Sequence, residues 1–158
     1  MNNRTYELIN ASRVGNLDQI AILLESEVNV NDQDEKGYTP LIIAAYHNRY
    51  DAVKALLDAG ADLNAKDYGG NTALMGVAFK GYRDIAELLI TNGADLNLQH
   101  GNGGTALMFA AMFGRNEIVK LLLKSGADKT LLDSRGLSVF DLAAQQGNET
   151  AIEILEQH

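Results

Sequence analysis

The side chains best suited to proton transfer or metal binding are three histidines, His47, His100 and His158. No pair of them shows the H-x-x-x-H or H-E-x-x-H spacing of a metal site. A histidine base would also need a nucleophile within reach and a third group to orient it, and no such constellation can be read from the spacing. All three read as solvated surface residues. The chain has no cysteine, which removes thiolate catalysis, a cysteine metal site and a disulfide framework. The run Gly101-Asn102-Gly103-Gly104-Thr105-Ala106 matches the dinucleotide pattern G-x-G-x-x-A and precedes a helical stretch. A phosphate cradle of that kind follows a buried strand in a βαβ unit, whereas here a helix and a turn segment come first. Asp32-Gln33-Asp34 sits in a turn and lacks the other ligands of a calcium loop. The remaining carboxylates scatter, mostly at helix starts. The expectation is therefore no catalytic residue, no cofactor and no metal: not an enzyme.

Composition narrows the class further. The chain is 46% hydrophobic and 22% charged, with no apolar run near the roughly 20 residues of a membrane span. Its N-terminal MNNRTYELINASRVG has no apolar core of signal-peptide length, so a cytoplasmic protein is expected. The formal net charge is -8. Nucleic-acid binding normally shows a basic stripe, and the sequence offers none. The acidity suits solubility or, alternatively, selectivity for a basic partner.

What positions the side chains is a repeat. Shifting the sequence by 33 residues aligns Thr39, Thr72 and Thr105, then Leu41, Leu74 and Leu107, then Gly37, Gly70, Gly103 and Gly136. Gly-Ala-Asp recurs at 60–62, 93–95 and 126–128. Five copies result, 1–33, 34–66, 67–99, 100–132 and 133–158, with the first and last as end caps of one domain, 1–158. Apolar residues within a copy fall in two blocks at helical spacing, such as Leu41/Ile42/Ala44/Ala45 and Val53/Leu56/Leu57, which predicts two antiparallel helices. Thr39 suits an N-cap and Pro40 the first turn. The column Gly15, Asn48, Gly81, Gly114 and Gly147 holds residues that tolerate the left-handed end of a helix. Asp18, Asp51, Asp84 and Glu117 open the second helix, where a carboxylate favours the macrodipole. That helix stops at Gly60, Gly93 and Gly126, and the next segment leads to a tight turn at a projecting finger.

The order D-x-x-G-x-T-P-L, A-A-x-x-G and I/V-V-x-x-L-L-x-x-G-A-D-x-N, in register over essentially the whole chain, resembles the ankyrin repeat. The resemblance implies an all-α solenoid of five helix-turn-helix repeats with projecting finger turns. Departures matter. The family's His in T-P-L-H is replaced by Ile42, Met75 and Met108, which puts its hydrogen bonds between neighbouring repeats in doubt. Pro appears only at position 40. Glu7, Asn10 and Ser12 at one end, and Asp141, Glu149, Glu153 and Glu156 at the other, read as the polar outer faces a solenoid needs, so a complete array is expected. Asn64 and Asn97 resemble asparagines that hydroxylases modify in other ankyrin proteins, and read here as turn caps. Leu56, Leu89 and Leu122 are expected to line the core, with Ala44, Ala45, Ala78, Ala110 and Ala111 letting helices approach.

Ankyrin repeats bind partners through finger tips and first-helix ends, which form a concave face. Mapped onto this chain, the fingers offer Glu35, Lys36, Tyr38, Tyr68, Asn71, Asn102, Gly104, Arg135 and Leu137. The helix ends offer Arg13/Val14, Tyr46/His47, Phe79/Lys80, Met112/Phe113 and Gln145/Gln146. Tyr38, Tyr46, His47, Tyr68, Phe79, Lys80, Met112 and Phe113 are the expected protein-binding residues, because large aromatic and Met side chains at exposed positions are what binding surfaces over-use. The alternative is that the aromatics pack on one another and stiffen the stack. His47 and Lys80 make the patch mildly basic, which suits an acidic or amphipathic partner segment. The resulting function is a non-catalytic protein-binding module. A dedicated inhibitor or immunity-type protein blocking one enzyme is the alternative, and a small-ligand receptor or enzyme the remote one. A monomer is expected, with weak self-association through exposed Phe and Met as the other outcome.

Overall fold

A computed structural model describes residues 2–158. Among them are ten α-helices and no strand: α1 (Asn3–Val14), α2 (Leu17–Leu24), α3 (Pro40–Tyr46), α4 (Tyr50–Asp58), α5 (Ala73–Lys80), α6 (Arg83–Thr91), α7 (Ala106–Met112), α8 (Asn116–Lys124), α9 (Val139–Gln145) and α10 (Glu149–Gln157). Each copy supplies two, so the fold is an all-α repeat solenoid. The residues group into two compact units, one up to Ala73 and one spanning Leu74–His158.

The punctuation expected from the residues is present. Thr39 accepts the Ile42 N–H at 3.2 Å with Pro40 at the first helical position, and Thr105 accepts the Met108 N–H at 3.2 Å. Each hydroxyl satisfies one of the donors that a helix start leaves without a partner. At α9 the device becomes a reciprocal capping box between Ser138 and Asp141. The starts of α4, α6 and α8 have no side-chain cap, and instead Asp51, Asp84 and Glu117 stand in their first turns. Asn48, at φ 59°, is the one non-glycine residue of positive φ among the described residues, and it lies in the column otherwise filled by glycine.

In the first unit α1 packs on α2 and α3, and α4 on α2 and α3. Leu8, Ile20, Val53 and Leu56 are fully buried there, and Ala44 and Ala45 are small enough for close helix approach. In the second unit α7 packs on α8 and α9, and α10 on α8 and α9. Ile85, Leu89, Val119, Leu122 and Leu155 fill that core, with Ala78, Ala110 and Ala111 in the small-residue role. Leu56, Leu89 and Leu122 thus sit where the repeat register puts them. Ser12 does not belong to a polar outer face. It is wholly buried and donates its hydroxyl to the Leu8 carbonyl at 2.7 Å, which satisfies the group inside the helix.

The missing histidine of the T-P-L-H turn is answered by other side chains. Ile42, Met75 and Met108 are buried apolar filling. Copies are instead tied together by Gln33 Nε2, which donates to the Gly37 carbonyl at 2.8 Å and the Lys66 carbonyl at 2.9 Å. Gln99 Nε2 makes the same pair of bonds to Gly103 and Leu132. Asn31 and Asn97 accept the Asp62 and Asp128 N–H groups, each at 2.8 Å, so Asn97 joins copies as well as shaping its own turn.

Candidate functional site

Three of the finger turns are built around a carboxylate that gathers backbone donors. Asp34 Oδ1 accepts from Lys36 and Tyr38 N–H, Asp67 Oδ1 from Gly69 and Asn71, and Asp133 Oδ1 from Arg135 and Leu137. The Leu137 N–H is the main reason the Asp133 carboxyl lies below the usual carboxylate range, with the N–H groups and charge of Arg135 adding to it against partial burial. In the fourth copy His100 takes the carboxylate's place. Its Nδ1 accepts the Asn102 N–H at 3.1 Å, which puts the ring proton on Nε2, while Asn102 Oδ1 takes the Gly104 N–H at 2.9 Å. The His100 ring also stands edge-on to Phe109, centroids 5.9 Å apart. His100 is therefore a half-buried structural group, not the solvated residue its spacing suggested.

Finger stacking also accounts for the glycine-rich run. A Cβ on Gly103 would lie 2.5 Å from the Ser134 nitrogen, and the Ser134 N–H donates to the Asn102 carbonyl at 2.9 Å. Close backbone approach, not phosphate, occupies the space a side chain would need. Gly104 is buried, and Asn71 turns its amide onto the Asp67 carboxylate at 3.0 Å, so neither belongs to an open finger tip.

The first-helix ends carry the apolar side chains. In the first unit Tyr46 closes α3, 40% exposed, with exposed His47 beside it at 5.7 Å between ring centroids. Tyr68 is the most open aromatic, at 72%, and Tyr38 is half-buried. In the second unit Phe79 and Phe113 are 37% and 44% exposed, and their rings meet edge-on with centroids 4.6 Å apart. Lys80 and Met112, at the ends of α5 and α7, are half-buried. Packing between aromatics and exposure to solvent thus coexist at this pair.

One neighbour was missed from the sequence. Arg115 is exposed and donates from Nε to the Phe79 carbonyl at 3.1 Å, its chain lying across Gly81, where a Cβ would meet Arg115 Cδ at 2.8 Å. Arg49 does the same to the Arg13 carbonyl at 3.0 Å across Gly15. The signal was available, since Arg49 and Arg115 share the column just after the left-handed residue.

A groove of about 460 Å³ lies in the first unit, lined by residues including Thr5, Tyr6, Asp32 and Glu35. Its hydroxyls are already spent: Thr5 donates to Asp32 at 2.7 Å and Tyr6 to Glu35 at 3.1 Å. The bond to Glu35 raises the Tyr6 phenol above its ordinary value. Glu35 is lowered, chiefly by its own backbone N–H and next by Tyr6. Among the described residues no group of three or more His, Cys, Asp or Glu side chains could hold a metal ion, and no helix is long and apolar enough to cross a membrane.

No curated protein matches the chain. Family models for ankyrin repeats match it over residues 22–75, as many copies, and over residues 74–158, as three copies. The chain belongs to the ankyrin repeat family, whose repeats are generally protein–protein interaction modules and typically non-catalytic.

Proposed function

We propose that this protein is a non-catalytic binding module that holds a partner protein against the side its finger turns and first-helix ends share in each unit. The observation that carries this reading is the Phe79–Phe113 pair. Two phenylalanines keep more than a third of their surface in water while each touches the other. Large apolar rings of that kind release most free energy when a partner completes their burial. Tyr46, His47, Tyr38 and Tyr68 extend the same role in the first unit, and Lys80 and Met112 in the second. The rigid backbone beneath them would present these anchors with little ordering to be done on binding.

The partner is taken to be a protein in the cytoplasm, met by a monomer of this chain, since a net charge of -8 opposes a phosphate backbone. The test is affinity capture from a cell extract with the native chain and with a Phe79→Ala/Phe113→Ala double variant of unchanged circular dichroism. A partner held stoichiometrically by the native chain and released by the variant is the expected result. Equal retention by both would remove these residues from the binding surface.

A further inference from the structure

We infer that the partner segment bound by the Leu74–His158 unit is acidic and amphipathic, with an apolar side chain over the Phe79–Phe113 pair and a carboxylate on the Arg115 guanidinium. The inference rests on the reading of this surface as protein-binding and adds the chemistry of what it takes.

Charge is unevenly placed in an acidic molecule. Within this unit no Asp or Glu occurs from Leu74 to Arg83, or between Asp95 and Glu117. Those stretches contain α5, α7 and the finger turn ahead of α7. Their charged residues are Lys80, Arg83 and Arg115, all basic. The unit's acids lie on second helices, as Asp84 and Glu87 on α6 and Glu117 on α8, in the turns that follow them, as Asp95 and Asp128, or in the last copy, as Asp133 on its finger turn and Asp141 on α9.

Arg115 adds geometry to that pattern. Other arginines of the unit meet carboxylates of their own neighbourhood, Arg83 with Glu87 at 2.8 Å and Arg135 with Asp133 at 3.1 Å. Arg115 makes no salt bridge among the described residues. Its Nε is committed to the Phe79 carbonyl, and the bare Gly81 lets its chain lie flat across the end of α5. The head is thereby anchored on the backbone of Phe79 at the end of α5, with its terminal nitrogens left to other acceptors. A guanidinium so fixed can grip a carboxylate through paired hydrogen bonds with less ordering than a loose lysine would need. A positive spot in a molecule of charge -8 would also favour encounter with acidic segments and reject basic ones.

The test uses a phage-displayed library of random linear peptides panned on the full chain. Clones are kept when the Phe79→Ala/Phe113→Ala variant loses them. The expected survivors place an apolar residue among Asp or Glu, weaken at least about tenfold with Arg115→Glu or with added salt, and weaken by a smaller factor with Arg115→Lys, which keeps the charge and loses the paired hydrogen bonds. The lysine variant keeps the charge but forgoes the bond to the Phe79 carbonyl, so it separates charge from scaffolding, and melting curves verify that both variants fold. Phenylalanine-dependent peptides that are neutral or basic, or that ignore Arg115→Glu, would overturn the acidic partner and leave the binding surface standing. Equal loss with Arg115→Lys and Arg115→Glu would likewise overturn it. No phenylalanine-dependent peptide at all would take the binding surface with it.

Discussion

Phe79 and Phe113, one copy of the repeat apart, meet edge-on at 4.6 Å and 73° while both remain partly in water. The contact is therefore a modest part of the stack's stability. Phe113→Ala should cost about 1 kcal/mol, the order of one aromatic pair. Leu122, which has no exposed surface, should cost about 2–5 kcal/mol as Leu122→Ala because a cavity is left behind. Urea unfolding of the two variants measures the contrast, and similar losses would mean that Phe113 is core and not surface.

Gly103 and Gly136 occupy the same finger column at φ 84° and 77°. A side chain at Gly136 would meet nothing within 4 Å, whereas one at Gly103 would strike the Asp133–Ser134 backbone. Gly136→Ala should thus lose only the left-handed penalty, about 1–2 kcal/mol, and Gly103→Ala should lose that plus about 1–3 kcal/mol for the forced shift. Thermal melts of both variants would show the larger fall for Gly103→Ala. Equal falls would mean that the fingers part at no cost.

Gln99 joins its own finger to the next through the Gly103 and Leu132 carbonyls. Gln99→Leu keeps the size and removes both donors, so a loss of about 1–2 kcal/mol is expected. Amide exchange should accelerate first in the turn around Gly103, since stability passes between adjacent copies. Unchanged exchange there would assign the connection to packing alone.

Asp133 supplies the acid dependence. Its carboxyl is held below the ordinary range, first by the Leu137 N–H, so the folded state prefers the ionised form. The stabilisation is fully present above the unfolded value of about 3.9 and disappears as pH falls through the lower folded value. Native protein should therefore out-melt Asp133→Asn near neutral pH, and the gap should close below about pH 4. A gap that persists undiminished down to about pH 2 would contradict the assignment.

Much of the architecture is written locally. Thr39, Thr105 and Ser138 cap helices through residues three positions away, and Asn48 joins glycine in a left-handed column. Such features depend on neighbours along the chain, which is why a period of 33 and the residue types in each column suffice for the helices, their ends and the fingers. The exposure of Phe79, Phe113 and Tyr68 followed from the same register.

Other features depend on distances between copies, which packing sets and no column of letters states. Ser12 looked like surface polarity and is sealed in the core, because its hydroxyl finds a carbonyl within its own helix. His100 looked solvated and instead stands in for an aspartate, its Nδ1 accepting the Asn102 N–H while its ring meets Phe109 edge-on. Arg115 reaches the Phe79 carbonyl across Gly81, which follows α5 and leaves room for its chain. Residue order thus settles the helices and their spacing, since those rest on short-range backbone chemistry. Which polar groups meet across neighbouring copies is settled by how closely the small alanines let the helices stack.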